Sequence, residues 1–325
     1  MDKIEKIGIM KDGTKKELTL MVSSLTDRSA KTGKPYVAAE LSDGTKTIKV
    51  NFFDENTNSL SDKGMVKGAI IRVNLSKKDG FFNQEGWCLN NDPTITVRDF
   101  VKAAPIDPDK NYGWLLEQVK NVDTYTGVGP YKSIAQLTLK LLKENEEDFK
   151  KSSAAVEMHH NFLSGLLYHT VRMVAMAIKL CEVYTSLDRE LLVCATALHD
   201  IGKVNCYETS DVGDASVTIR GRLLDHSVSG IMMINEAVGT DLYNSEKIEM
   251  LEHMIASHHG KLEWGAVVTP AFPEAEALHL IDMMDSRINM FELAYDGQEQ
   301  GTVSDTKVFG LENSYIYKPI CNDKW

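Results

Sequence analysis

Leu198-His199-Asp200-Ile201-Gly202-Lys203 closes an apolar, helix-like run, Leu191-Leu192-Val193-Cys194-Ala195-Thr196-Ala197-Leu198. An adjacent His-Asp pair is common and, alone, weak evidence of chemistry. Here it has company. His169 lies upstream, and His226, the pair His258-His259 and Asp282 follow at intervals of roughly two to three dozen residues. Imidazole nitrogens and carboxylate oxygens are the donor set for Mn, Fe, Ni or Zn when no thiolates take part. If the helices between these residues pack as a bundle, their side chains can converge on one interior site.

The rest of the chain divides around this stretch. All nine histidines fall between 159 and 279. Residues 1–100 carry 16 Lys+Arg against 14 Asp+Glu, and the remainder carries 20 against 33. A length of 325 residues suggests about two domains. The apolar fraction of 43% and charged fraction of 26% are those of a globular protein. The net charge of −11 argues against a protein that coats duplex DNA by bulk electrostatics. No apolar run is long enough for a membrane span, and Met1-Asp2-Lys3-Ile4-Glu5-Lys6 is too charged for a signal peptide's apolar core. Five cysteines (88, 181, 194, 206, 321), without C-x-x-C spacing, point to reduced thiols and a cytoplasmic protein.

Upstream of the histidines the pattern is short strands. Leu18–Val22 and Tyr36–Leu41 open the series, and Asp43-Gly44 is a turn signal leading into Lys46–Phe53. After a longer connection near Asp54 to Lys67 come Ala69–Leu75, the turn Lys77-Lys78-Asp79-Gly80, and Gly86–Leu89. Five strands over residues 1–100 predict a small closed barrel whose order resembles an OB-fold. Such barrels bind single strands by stacking bases on exposed aromatics beside basic side chains. The candidates are Tyr36, Phe53, Phe81, Phe82 and Trp87, with Arg28, Lys31, Lys34, Lys49 and Arg72. For any single aromatic, core packing is the commoner role, and one of Phe52 and Phe53 is expected to face inward.

Asp92-Pro93 and Ala104-Pro105-Ile106-Asp107-Pro108 mark a boundary. Residues 101–150 predict a helical linker, and 151–325 a helical catalytic domain interrupted at 205–222 by a small hairpin or flap. The expected fold class is α+β multidomain: an OB-like five-stranded barrel followed by an all-α bundle.

The series His169, His199-Asp200, Asp282 resembles the H…HD…D signature of the HD-domain phosphohydrolases. His159-His160 before Ser164–Thr170, His258-His259-Gly260 with Trp264-Gly265, and Pro273–His279 leading to Asp282 and Asp285 narrow the likeness. With the preceding barrel, the chain resembles the YhaM-type 3′→5′ exoribonucleases over nearly its whole length. It departs from that pattern at Ser164-Gly165, where two glycines are expected, and at Tyr168, where an acidic residue is expected.

The resemblance implies that His169, His199, Asp200 and Asp282 bind metal. Both aspartates sit in apolar sequence, where a carboxylate is costly unless paired or metal-bound. His226, His258 and His259 match the extra histidines of HD domains with two ions, which Asp200 would bridge. Asp285, one turn after Asp282, could exchange roles with it, but the first aspartate of the matched pair is the ligand. Lys203 is implied to hold the scissile phosphate or stabilise developing charge, against the plain reading of a surface lysine. Arg220 and Arg222 are further phosphate candidates, although a solvated surface role suits them too. His159 and His160 are expected along the substrate path. His253 and His279 are expected in the core or orienting the ligands.

The function so implied is metal-dependent 3′→5′ exoribonuclease action on single-stranded RNA, with single-stranded DNA as a second candidate. Metal-activated water would release nucleoside 5′-monophosphates. The cofactor is one or two divalent ions, Mn2+ by resemblance, with Mg2+, Fe2+, Ni2+ and Zn2+ as alternatives. A homo-oligomer is compatible with the sequence. Two other readings remain: a phosphodiesterase for nucleotides or cyclic dinucleotides, and a nucleic-acid-binding protein without catalysis.

Overall fold

A computed structural model describes residues 4–126, 130–154, 162–210 and 215–320. His159, His160, Cys321 and the expected flap tip at 211–214 lie outside the described residues. The chain divides into two compact units, residues 1–103 with 210–214, and residues 104–209 with 215–325.

The first unit is a five-stranded antiparallel sheet: β1 Lys15–Ser29, β2 Pro35–Ser42, β3 Thr47–Phe53, β4 Ile70–Lys78 and β5 Phe81–Leu89. A short helix, α1 Thr57–Asp62, lies between β3 and β4. The order β3-β2-β1-β4-β5 is that of an OB-like sheet. β1 serves both halves, pairing its first part with β4 and its later part with β2. A register shift between Val22 and Ser24 bends it for that purpose. β3 alternates strictly, with Ile48, Val50 and Phe52 buried and Lys49, Asn51 and Phe53 facing out. Asp79 and Gly80, both at positive φ, form the tight β4–β5 turn. The sheet curls without the hydrogen-bonded closure expected of a closed barrel. Side chains fill the seam instead, with the Phe52 and Trp87 rings edge to face at 6.5 Å.

The second unit is helical: α2 Pro108–Asn121, α3 Ile134–Glu144, α4 Glu146–Lys151, α5 Gly165–Val183, α6 Arg189–Leu198, α7 Lys203–Cys206, α8 Ile219–Val238, α9 Ser245–Ser257 and α10 Pro273–Ala294. Between α7 and α8, β6 Tyr207–Thr209 pairs with β7 Ala215–Val217, a small hairpin in the interrupted stretch. α6 is the axis of this unit. Its residues 190–198 are all buried, as expected of a helix apolar all round, and Asp188 caps it by accepting from Leu191 N–H. Leu115, Val119, Leu137 and Leu141, from the stretch expected to be a linker, lie in the same apolar core as α6. Among the described residues no helix is long and apolar enough to cross a membrane.

Candidate metal centre

The central helix ends where the polar site begins. His199 keeps αR geometry one residue beyond α6, and its Nδ1 faces the Thr196 carbonyl at 2.8 Å. His258 repeats the device one residue beyond α9, its Nδ1 facing the Ile255 carbonyl at 2.7 Å. His169, from the buried face of α5, has Nδ1 at 2.7 Å from Asp285 Oδ2. His226 has Nδ1 at 2.9 Å from Asp225 Oδ1. In all four rings Nδ1 is committed to an acceptor, which leaves Nε2 as the nitrogen turned inward toward the cluster.

Those Nε2 atoms surround Asp200. Its Oδ2 lies 3.2 Å from His199 Nε2 and 3.9 Å from His169 Nε2. Its Oδ1 lies 3.3 Å from His226 Nε2 and 3.9 Å from His258 Nε2. Asp282 Oδ1 is 3.3 Å from His169 Nε2. Donor atoms of His169, His199 and Asp200 fall within 4.8 Å of one another, as do those of His226, His258 and His259. The residues fit a bound cation on two counts. Asp200 Oδ1 is buried and accepts no hydrogen bond, and His259 Nδ1 is buried without a partner. The electrostatics agree. Burial opposes charging His169, yet Asp282 and Asp285 overcome it and raise this imidazole to about 9. The pocket therefore holds carboxylate charge that calls for a positive partner.

The neighbouring groups hold their ligand forms. Burial pushes the Asp200 carboxyl up, but Lys203 and His199 outweigh it and keep the group well below the usual carboxylate range. Burial, then His259 and His226, hold His258 neutral. Lys203 is itself buried, with Nζ 2.7 Å from Asp200 Oδ2.

Close backbone packing sets this geometry. A Cβ on Gly202 would lie 2.0 Å from the His226 carbonyl oxygen, so only glycine lets the turn after Asp200 meet α8. Within α8, Asp225 takes φ 63° and ψ 164°, which breaks the helix just before His226. A left-handed aspartate costs about 1–3 kcal/mol and tends to occur at functional sites. A Cβ on Gly260 would strike the His279 ring, whose Nδ1 faces the His258 carbonyl at 2.9 Å.

A cavity of about 650 Å³ opens onto the cluster. Its described walls include His169, Asp200, Lys203, His226, His258, His259 and Asp282, and beyond them Tyr207, Trp264, Met283, Arg287, Met290 and Phe309. Arg220 and Arg222, expected near the phosphate, are not among these wall residues. They precede the break at Asp225. Arg220 instead directs Nε to Ser229 Oγ at 3.2 Å, and Arg222 is exposed. His253 accepts from Ala271 N–H at 3.1 Å and serves structure. In the first unit, Tyr36 and Phe53 are register partners on the outer face of β2 and β3, with rings 5.7 Å apart. Lys49 is on the same face, paired with Glu40 at 3.7 Å. Phe52 is the inward ring of its pair and Phe53 is 62% exposed.

Arg172, which no motif singles out, grips Asp285 Oδ1 at 2.6 Å and Glu292 at 3.0 Å. The signal lay in helical spacing, with Arg172 one turn beyond His169 on α5. The two departures from the expected motif also find a setting. Ser164 adopts φ 63° at the head of α5, a conformation that favours glycine. The Tyr168 hydroxyl accepts from Arg172 at 3.1 Å.

Residues 166–287 match the HD domain family. The chain is 32% identical over 313 residues to the 3′-5′ exoribonuclease YhaM of Geobacillus sp. (strain WCH70), covering 95% of this chain and 93% of that one. It is 32% identical over 306 residues to the 3′-5′ exoribonuclease YhaM of Bacillus subtilis (strain 168), covering 92% and 93%.

Proposed function

Since the chain belongs to the family of YhaM 3′-5′ exoribonucleases, we propose that it shortens single-stranded RNA from the 3′ end, hydrolysing the terminal phosphodiester to release nucleoside 5′-monophosphates. The observation that carries this reading is the Asp200 carboxylate, whose two oxygens address different histidines within one cavity.

His169, His199, Asp200 and Asp282 would hold one divalent ion, and His226, His258 and His259 a second, with Asp200 shared. Nitrogen and oxygen donors without thiolate admit Mn2+, Fe2+, Ni2+ or Zn2+, and the likeness to the YhaM family makes Mn2+ the first ion to test. Bound ions supply Lewis acidity and lower the pKa of water, the chemistry that a phosphodiester needs. The protein's own groups do the rest. Thr196, Ile255, Asp225 and Asp285 fix the four imidazoles with Nε2 inward. Lys203 balances Asp200 and sets an ammonium where negative charge develops on the phosphoryl oxygens. Met283 and Met290 line the apolar side of the cavity, where bases can lie without sequence-specific contacts. Tyr36 and Phe53 offer adjoining faces for stacking upstream bases. Single-stranded DNA presents the same backbone and bases and is the second polymer to assay.

The test is a time course on 5′-labelled single-stranded RNA with Mn2+, beside an Asp200→Ala control. A ladder that shortens progressively from the 3′ end, absent in the variant, supports the proposal. Intact RNA with the metal-loaded parent protein overturns it and turns attention to small nucleotides.

A further inference from the structure

The cavity has a wall that metal chemistry does not explain. α10 lays Asp282, Met283, Ser286, Arg287 and Met290 along it, with Asp282 at the metal cluster and Met290 two turns further on. At about 1.5 Å per residue, those two turns span roughly 12 Å. At the far end sits Phe309, which lines the same cavity yet is 75% exposed.

Its exposure is not that of a loose loop. Val308 N–H donates to the Ser314 carbonyl at 3.0 Å, and Ser314 N–H to the Leu311 carbonyl at 3.1 Å. Leu311 is buried beneath the turn. Glu312 and Asn313 both take left-handed backbone, at φ 59° and 56°. Arg287 on α10 clasps Glu312 at 2.9 Å. Gly310 lies so close to Met290 that a Cβ there would fall 2.4 Å from its sulfur. Two left-handed side-chain residues, an ion pair and a glycine contact thus hold one aromatic ring out at the rim. A wet aromatic ring with a held backbone, at the rim of a cavity that also holds the metal cluster, is what a nucleobase stacks on, and every base has a face to offer it.

We propose that Phe309 is the stacking platform for the base of the nucleotide at the scissile bond, and that Arg287 positions it through Glu312. The proposal rests on the exoribonuclease reading and adds to it the grip on the terminal nucleotide. Sequence-tolerant stacking here would let the enzyme seat any 3′-terminal base alike.

The experiment compares the parent protein, Phe309→Ala and Phe309→Tyr. The substrates are RNA oligonucleotides ending in an ordinary nucleotide, an abasic ribose or 2-aminopurine. In the parent, removing the terminal base raises KM about tenfold, the scale of one lost stacking partner, and terminal 2-aminopurine fluorescence is quenched on binding. Phe309→Ala raises KM for base-ended RNA by a similar factor, no longer distinguishes the abasic end and does not quench. Phe309→Tyr restores both. If Phe309→Ala degrades RNA yet retains the parent's discrimination and quenching, this proposal falls and the exoribonuclease reading stands. If the parent itself leaves RNA intact, the exoribonuclease reading falls and takes the platform with it.

Discussion

Asp285 Oδ2 lies 2.7 Å from Nδ1 of His169, while Asp282, one turn earlier on α10, meets Nε2 of the same ring at 3.3 Å. One turn of helix therefore supplies a carboxylate to each nitrogen of one imidazole, and the two aspartates have different work. Asp285, clasped by Arg172, sets the ring's orientation and tautomer, while Asp282 faces the inward donor atom. Asp285→Asn is expected to lower Mn2+ affinity about 10- to 100-fold with the fold intact, and Asp282→Asn to abolish binding of one ion. Calorimetric titration with Mn2+ checks both. Unchanged affinity in Asp285→Asn would remove the orienting role.

Lys203 is buried against Asp200, and a methionine there keeps most of its volume. Lys203→Met is expected to reduce kcat on RNA by about 10²- to 10³-fold, the usual loss for one preorganised donor, while two ions still bind. Loss of both activity and metal binding would make the lysine a structural counter-charge only.

In the first unit, buried Asp43 accepts from Ile7 N–H, Thr45 N–H and hydroxyl, and Lys46 N–H. Burial pushes its carboxyl up, and these donors more than compensate, so it lies below the ordinary 3.8. A folded value below the unfolded one gives stability that is present in full above 3.8 and lost as pH falls through the lowered value. Asp43→Asn should cost roughly 1–3 kcal/mol at neutral pH and flatten the acid side of the stability profile. Hydrogen exchange at the amides of β1 to β3 reads this, and an unaltered acid limb would count against it.

Tyr36 and Phe53 form a two-ring face on β2 and β3. Replacing either by alanine is expected to weaken RNA binding by about 1–3 kcal/mol without moving the melting temperature. Fluorescence anisotropy at fixed salt, without divalent metal, measures the first, and calorimetry the second. Parent-like affinity in the double variant would reduce both rings to ordinary surface.

Much of this was readable from residue order. Strict alternation in Ile48-Lys49-Val50-Asn51-Phe52 dictates a strand with one dry face. An apolar run ending in His199-Asp200 dictates a buried helix that delivers two donors. The spacing of His169, His226, His258 and Asp282 could announce a cluster but not which oxygen of Asp200 meets which ring, because that depends on how α5, α8, α9 and α10 pack. Nor could it announce the break at Asp225 just before His226, since a left-handed aspartate leaves no periodic mark. The seam of the sheet stayed hidden for a similar reason. Strand patterns specify faces, and whether β3 and β5 pair depends on the rings between them.

The helices before residue 165 have a wider consequence. Tyr112, Leu115, Leu137 and Phe149 belong to the core that surrounds α6, whereas the HD family match begins at residue 166 and ends at 287. Phe309 and Gly310, which close one side of the cavity, lie past its other end. A chimera that swapped only the matched segment would inherit every imidazole and carboxylate of the cluster, but with an unroofed core and a missing wall. The core and the cavity wall that support the cluster therefore reach beyond the matched segment on both sides, into the helices before residue 165 and the turn at 309–310.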